Sequence, residues 1–213
     1  LLEDNSAAVE LLTGKFGDCP TQREVYAAAP ELYALKEDLE RHLCRRTDSL
    51  FNLTNRVMLF DLTNFYFEGS KRQSAKAKFG RSKEKRSDCK LLVLALAINT
   101  EGFIRYSSIL EGNTSDPQSL PDMVKRIIAQ NPVSSNPDEK VLVVIDAGIA
   151  TEDNLKLLKE SGYNYLCVSR TRLKNFSIKE ERHKVTVFDN RQRPITLAEV
   201  THETNGDYYL QVH

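Results

Sequence analysis

The sequence lacks the features that mark membrane, secreted and zinc-binding chains. No apolar run approaches the roughly 18 residues of a membrane span, and the opening Leu-Leu-Glu-Asp-Asn has neither the basic region nor the cleavage pattern of a signal peptide. The start also lacks an initiator Met, so we expect a fragment of a longer protein. The four cysteines form no Cys-x-x-Cys or Cys/His spacing. This argues against zinc and favours a reducing cytoplasm, with Cys167 as a small core residue.

Net charge is also absent, because 30 basic residues balance 30 acidic ones. Overall charge therefore does not identify a nucleic-acid binder. One stretch, from residue 71 to residue 90, departs from this balance with nine basic and two acidic side chains. The basic ones are Lys71, Arg72, Lys76, Lys78, Arg81, Lys83, Lys85, Arg86 and Lys90. We interpret them as phosphate-binding groups for DNA, with a solvated surface loop as the alternative.

What is present is a globular composition, with 40% hydrophobic and 28% charged residues in 213. We predict a helical region over residues 1–50, a core over 51–170 and a β-rich segment over 171–213. In the first region, Thr21 to Glu24 fits a capping box, and Pro30 suits the first turn of a second helix. An apolar stripe at helical spacing should pack this region on the core, with DNA or dimer contact as the alternative. The stripe consists of Leu32, Leu35, Leu39 and Leu43.

The core region alternates strand and helix patterns. We predict strands over 57–67, 91–99, 103–110, 141–145 and 163–168, with a helix from Asp116-Pro117 and another capped by Thr151. The run over 91–99 is almost wholly apolar, which favours a strand buried on both faces. The later strand–helix–strand units imply parallel neighbours. The predicted fold class is α/β, a mixed sheet with flanking helices in the strand order of RNase H-like folds, followed by short strands near 185–188, 195–201 and 208–212.

Two aspartates are the candidate metal ligands. Asp61 lies within an apolar strand, where a carboxylate is costly unless paired or bound to a cation. Asp146 directly follows the apolar run Val141 to Ile145, at the strand end where ligand sites gather. Two such carboxylates on neighbouring strands could share Mg²⁺. Each also has an ordinary explanation: a loop or helix cap for Asp146, and an ion pair with Arg56 or a lysine for Asp61.

These segments together resemble the DDE transposases of bacterial insertion sequences, in the group typified by insertion sequence four. The resemblance rests on four stretches: Phe60 to Gly69, Gly80 to Lys90, Glu111 to Asp116, and Val144 to Gly148. The family often has Asp-Arg-Gly in the last stretch, and Ala147 replaces that arginine here.

The resemblance implies an RNase H-like catalytic core that cuts and joins DNA with two divalent metals, Mg²⁺ or Mn²⁺. Asp61 and Asp146 would be the first two acids of its triad. The third, a glutamate in a Tyr-x-x-Arg-x-x-x-Glu pattern, is not found. We therefore expect an incomplete and inactive core, with residues from 171 beginning a β-rich insertion. Glu152 and Asp153 are better explained by a helix start. The implied partners are transposon ends and target DNA, with a homodimer as the family expectation. The alternatives are a nuclease on the same fold and a non-catalytic DNA-binding remnant.

Overall fold

The computed structural model describes residues 21–69, 73–80, 88–130, 140–169, 177–178, 184–201, 207 and 209–212. The chain divides into two compact units, Leu1–Val168 and Ser169–His213. None of the helices in these ranges has the length and apolar character needed to cross a membrane. The finer division at residues 50 and 170 stays a prediction.

The described part of the first unit contains four helices and five strands. In chain order these are α1 (Gln22–Ala34), α2 (Lys36–Phe51), β1 (Val57–Tyr66), β2 (Leu91–Asn99), β3 (Ile104–Glu111), α3 (Asp116–Gln130), β4 (Leu142–Ile145), α4 (Glu152–Glu160) and β5 (Asn164–Cys167). The predicted alternation of strand and helix is confirmed.

Helix α1 begins at the predicted capping box. The Thr21 hydroxyl accepts a hydrogen bond from the Glu24 backbone N–H, and the Glu24 carboxylate accepts one from the Thr21 N–H at 2.7 Å. The prediction that Pro30 opens a second helix is wrong, because α1 runs through Pro30 to Ala34. The break comes at Leu35, whose N–H still bonds to the Glu31 carbonyl oxygen. A proline inside a helix removes one hydrogen bond but does not by itself end the helix.

The predicted apolar stripe does not pack on the core. Its four leucines are 40% to 60% exposed. Helix α2 instead turns a polar face to the sheet: the Lys36 ammonium donates to the Ser107 carbonyl oxygen at 2.6 Å, and the Cys44 thiol donates to that of Ile104 at 3.3 Å. Glu40, between them on the same face, accepts from the Ser107 hydroxyl. The correct face has the same helical spacing but is shifted by one residue, and hydrophobicity alone does not reveal it.

The five strands form one mixed sheet in the order β3-β2-β1-β4-β5. β2 is antiparallel to β1 and β3, whereas β1, β4 and β5 are parallel. The predicted mixed sheet with flanking helices is therefore confirmed, as are the parallel crossover units. Helices α3 and α4 contribute Leu120, Met123, Val124, Ile127 and Leu158 to the core against one face of this sheet.

Burial alternates along the strands. In β2 every second residue, from Leu91 to Asn99, is at most 3% exposed, and the residues between are only half-buried. The prediction of burial on both faces is therefore wrong for the described part of the chain. The second face carries apolar side chains that stay accessible, including Leu59 and Phe65 of β1 and Leu166 of β5.

The described part of the second unit consists of four short strands, three of which were predicted. They are β6 (Ser177–Ile178), β7 (Lys184–Phe188), β8 (Pro194–Thr201) and β9 (Tyr209–Val212), and β8 pairs antiparallel with the other three. The pairs Asn131-Pro132 and Asn205-Gly206 are typical of a loop and a turn, and both lie outside the described residues.

Candidate active site

Strand register brings Asp61 and Asp146 side by side. The parallel pairing of β1 with β4 ends at Phe60 opposite Ile145. Asp61 is the next residue of β1, and Asp146 directly follows the last residue of β4. Paired Cα atoms on neighbouring strands are about 5 Å apart, so the two aspartates follow each other closely at the end of this pairing. Both are exposed.

Asp61 is exposed, so burial of its charge is not a reason to regard it as a metal ligand. The sequence suggested a carboxylate held at a cost inside an apolar strand. The structure shows strict alternation, with Met58, Phe60 and Leu62 at most 3% exposed and Asp61 accessible between them. An accessible carboxylate stays hydrated, so its charge does not require a buried partner.

Asp146 also stabilises the turn that follows β4. Its carboxylate Oδ1 accepts a hydrogen bond from the Ile149 backbone N–H at 2.9 Å, and its carbonyl oxygen accepts from the Ala150 N–H at 3.2 Å. Asp146 is therefore a loop-capping aspartate, which was the ordinary explanation for it. The carboxylate has a second oxygen, so the turn does not use up its ligand capacity.

A third carboxylate lies near Asp146. A Cβ built on Gly148 would lie 2.8 Å from Asp116 Oδ2 and 3.1 Å from Asp146 Oδ1, which puts those two oxygens within about 6 Å of each other. Sequence reasoning treated Asp116 only as a helix start, and it does stand in the first turn of α3. Its approach to Asp146 depends on packing between α3 and the β4 turn, for which the sequence has no local signal. The described residues hold no group of three or more His, Cys, Asp or Glu side chains arranged to bind a metal.

A buried amide fixes the relation between these two segments. Asn154 of α4 is 5% exposed, and its Nδ2 donates to the Ile149 carbonyl oxygen at 2.8 Å and to that of Pro117 at 3.0 Å. One end of this bridge is the Asp146 turn and the other is the start of α3. An asparagine in the first turn of a helix looks unremarkable in sequence.

The basic stretch meets the sheet at Lys78. Lys78 and Leu91 form an antiparallel bridge, with N···O distances of 2.7 and 3.2 Å. Two glycines allow this strand to cross closely: a Cβ on Gly80 would lie 1.9 Å from the Gly112 carbonyl oxygen, and one on Gly112 would lie 2.1 Å from that of Leu91. These contacts are with backbone, which cannot move aside easily.

Three of the nine predicted DNA-binding residues fall in the described part of the stretch. Lys78 is exposed and Lys90 is partly buried. The Lys76 ammonium donates to the Ile109 carbonyl oxygen at 2.6 Å on the edge strand β3, so part of its hydrogen-bonding capacity serves the sheet. Lys71, Arg72, Arg81, Lys83, Lys85 and Arg86 lie outside the described residues.

Comparison with known proteins gives one family. Residues 52–207 match the family described as transposase DDE domain. No curated protein matches the chain. Among solved structures, a Mos1 mariner paired-end complex with Mn is 16% identical, over 61% of this chain and 41% of that one, with a TM-score of 0.36. A piggyBac transposase synaptic complex with hairpin DNA is 15% identical, over 68% of this chain and 30% of that one, with a TM-score of 0.38. The chain spans less than half the length of these proteins.

Proposed function

Because the chain belongs to the transposase DDE domain family, we propose that it is part of an insertion-sequence transposase, in which Asp61 and Asp146 are two of the catalytic carboxylates. The reaction is metal-dependent cleavage of DNA strands and transfer of the cut ends to target DNA. Its partners are transposon ends and target DNA, and a homodimer acting on paired ends is part of the proposal.

The observation that carries the proposal is the register of β1 and β4. Phe60 and Ile145 are paired on neighbouring parallel strands, and the exposed aspartates Asp61 and Asp146 come directly after them. Two carboxylates so placed can reach one cation together. Hard divalent ions such as Mg²⁺ take oxygen ligands and are often held by one or two protein carboxylates. The donor set therefore fits Mg²⁺ or Mn²⁺.

When bound, such ions supply an activated oxygen nucleophile and charge stabilisation for in-line displacement at phosphorus. Asp61 and Asp146 would hold them at the end of the β1–β4 pairing. The Ile149 N–H bond to Asp146 Oδ1 fixes one oxygen and leaves the other available. We propose that the third acid of the triad is supplied elsewhere in the complete protein, so that this chain carries a partial site.

The basic stretch supplies the second part of the proposal. It joins β1, which carries Asp61, to β2, the neighbouring strand of the same sheet. Cationic side chains there can neutralise phosphates, which positions the duplex without reading its sequence.

Manganese binding tests the site directly. Mn²⁺ titration monitored by electron paramagnetic resonance should show binding to the wild-type chain. Asp61→Asn and Asp146→Asn should each weaken it by more than about tenfold, because even outer-shell partners of a metal change affinity by 10- to 100-fold. Asp153→Asn, which removes an exposed carboxylate in the first turn of α4, is the matched control and should bind as the wild type does.

DNA assays separate the alternatives. We expect little cleavage of labelled duplex by this chain with Mg²⁺. Robust Mg²⁺-dependent cleavage that Asp61→Ala abolishes would show a complete acid set and, without joining of a 3′-hydroxyl to target DNA, would favour the nuclease. DNA binding that persists while neither aspartate affects Mn²⁺ would favour the non-catalytic remnant.

A further inference from the structure

We propose that Asn154 is a positioning residue for the Asp146 carboxylate, acting through the backbone of the turn that follows β4. The inference rests on the proposed function of Asp146 and extends it to a side chain that would touch neither metal nor DNA. Asn154 is one of four polar or charged residues that are at most 5% exposed among those described.

The Asn154 amide bonds to two segments outside its own helix. Asn154 Nδ2 donates to two backbone carbonyl oxygens outside its own helix, those of Ile149 and Pro117. An amide has two N–H donors, so each bond uses one of them. A helix cap requires neither, because Thr151 already caps α4 by accepting from the Asn154 backbone N–H at 3.3 Å.

Ile149 connects the Asn154 amide to the Asp146 carboxylate. Its carbonyl oxygen accepts from Asn154, and its N–H donates to Asp146 Oδ1 at 2.9 Å. The same peptide segment thus links the buried amide to one oxygen of the carboxylate. With Ile149 itself 1% exposed, the segment has little freedom to shift on its own.

The other hydrogen bond of Asn154, to the Pro117 carbonyl oxygen, reaches the start of α3. Pro117 follows Asp116, whose carboxylate approaches that of Asp146 across Gly148. By holding the α3 start and the β4 turn together, Asn154 fixes how closely two negative groups meet. Gly148 provides the space, because a Cβ there would lie within 3.3 Å of both carboxylates.

Outer-shell groups that orient a metal-binding carboxylate change metal affinity by 10- to 100-fold when removed. We therefore expect Asn154→Ala to weaken Mn²⁺ binding by at least about tenfold. Leu155→Ala is the matched control: it truncates a neighbouring side chain of α4 that packs on the core, and it should lower the melting temperature without changing Mn²⁺ affinity.

A second variant separates positioning from folding. In Gly148→Ala the three atoms nearest the new Cβ are carboxylate oxygens of Asp116 and Asp146, which lie at the ends of side chains that can rotate away. We expect a melting temperature close to the wild type but weakened Mn²⁺ binding. Unchanged Mn²⁺ affinity in Asn154→Ala, with Asp61→Asn and Asp146→Asn still impaired, would overturn the positioning role.

A metal-free measurement keeps the inference testable whether or not the chain binds Mn²⁺. Amide hydrogen exchange followed by NMR should show the Ile149 N–H losing protection in Asn154→Ala by at least about tenfold more than core amides of β2 do. Leu155→Ala should lower protection of both sets alike. Equal loss in both sets for Asn154→Ala would mean that Asn154 only stabilises the fold. Failure of wild-type Mn²⁺ binding alone would count against the proposed function and leave this test of positioning intact.

Discussion

Arg105 and Asp48 form a two-pronged ion pair between β3 and α2, with N···O distances of 2.7 and 2.8 Å. The arginine side chain is 4% exposed and the aspartate 28%. Asn55 donates to Asp48 Oδ1 at 2.7 Å, and Asn99 donates to Asn55 at 3.0 Å. The pair thus links the helical region to the β2–β3 hairpin through a continuous polar network.

Replacing Asp48 with asparagine should destabilise the fold at neutral pH. Burial tends to raise the pKa of Asp48, but hydrogen bonds from Arg105 and Asn55 and the arginine charge lower it below the ordinary value. Its stabilising effect is therefore present above the unfolded pKa of about 4 and is lost as pH falls through the lowered pKa. We expect a loss of roughly 2–4 kcal/mol in unfolding free energy at pH 7, since Arg105 would be left buried without its charge partner.

Urea denaturation at several pH values measures this. The difference between Asp48→Asn and the wild type should shrink below about pH 4. Asp38→Asn is the control, because its ion pair with Arg41 is exposed and contributes about 0–1 kcal/mol. A pH-independent difference for Asp48→Asn would contradict the assignment.

Gly112→Ala should be among the more damaging small substitutions in the sheet. The added methyl group would lie 2.1 Å from the Leu91 carbonyl oxygen and 2.6 Å from that of Lys78, so the bridge between them must open. We expect a loss of about 3 kcal/mol or more. Gly102→Ala is the matched comparison, because it adds backbone strain at φ +86° with nothing within 4 Å, and should cost about 1–2 kcal/mol. Equal losses of unfolding free energy in the two variants would show that the backbone around Gly112 moves to accommodate the methyl group.

Tyr163→Phe should protect the fold at high pH. Burial raises the pKa of Tyr163 to about 12, against an ordinary value of 10. A raised pKa means that this tyrosine stabilises the fold below pH 10 and that the effect is lost between pH 10 and 12, by up to about 1.4 kcal/mol per pH unit. Denaturation curves across that window should fall less steeply for Tyr163→Phe. Tyr26→Phe, at a side chain 69% exposed, should follow the wild type, and an unchanged slope for Tyr163→Phe would contradict the prediction.

Neutralising part of the basic stretch should reduce the salt dependence of DNA binding. The triple change Lys83→Gln, Lys85→Gln and Arg86→Gln should weaken duplex binding at low salt. It should also lower the slope of log K against log salt by about 0.9 for each phosphate that the protein no longer neutralises. Fluorescence anisotropy with labelled duplexes of two unrelated sequences measures both effects, which should be equal for the two. A control triple, Lys125→Gln, Lys156→Gln and Arg191→Gln, should leave the slope unchanged.

Hydrophobic and capping patterns predicted most of the elements, because each is set by local chemistry. The Thr21 box, the Thr151 cap and the apolar face of α3 need only neighbours in sequence. The prediction for the leucine stripe was wrong because contacts between residues distant in sequence determine which helix face packs on the sheet. The leucine stripe of α1 and α2 has helical spacing, but the Lys36 and Cys44 face contacts the sheet because its polar groups bond to carbonyl oxygens of β3.

In the candidate site, too, some residues could be predicted from local sequence and others could not. Asp61 and Asp146 could be singled out because a carboxylate beside an apolar strand is conspicuous. That they follow paired residues depends on register, which no local pattern specifies. Asn154 and Gly148 could not be singled out, since their importance comes from packing between α3 and the β4 turn.

The bridge between Lys78 and Leu91 closes the chain between them into a loop whose ends are fixed on the sheet. Doubling the length of such a loop costs only about 0.6 kcal/mol in closure entropy. Insertions and deletions between these residues should therefore leave the register of β1 and β4 intact.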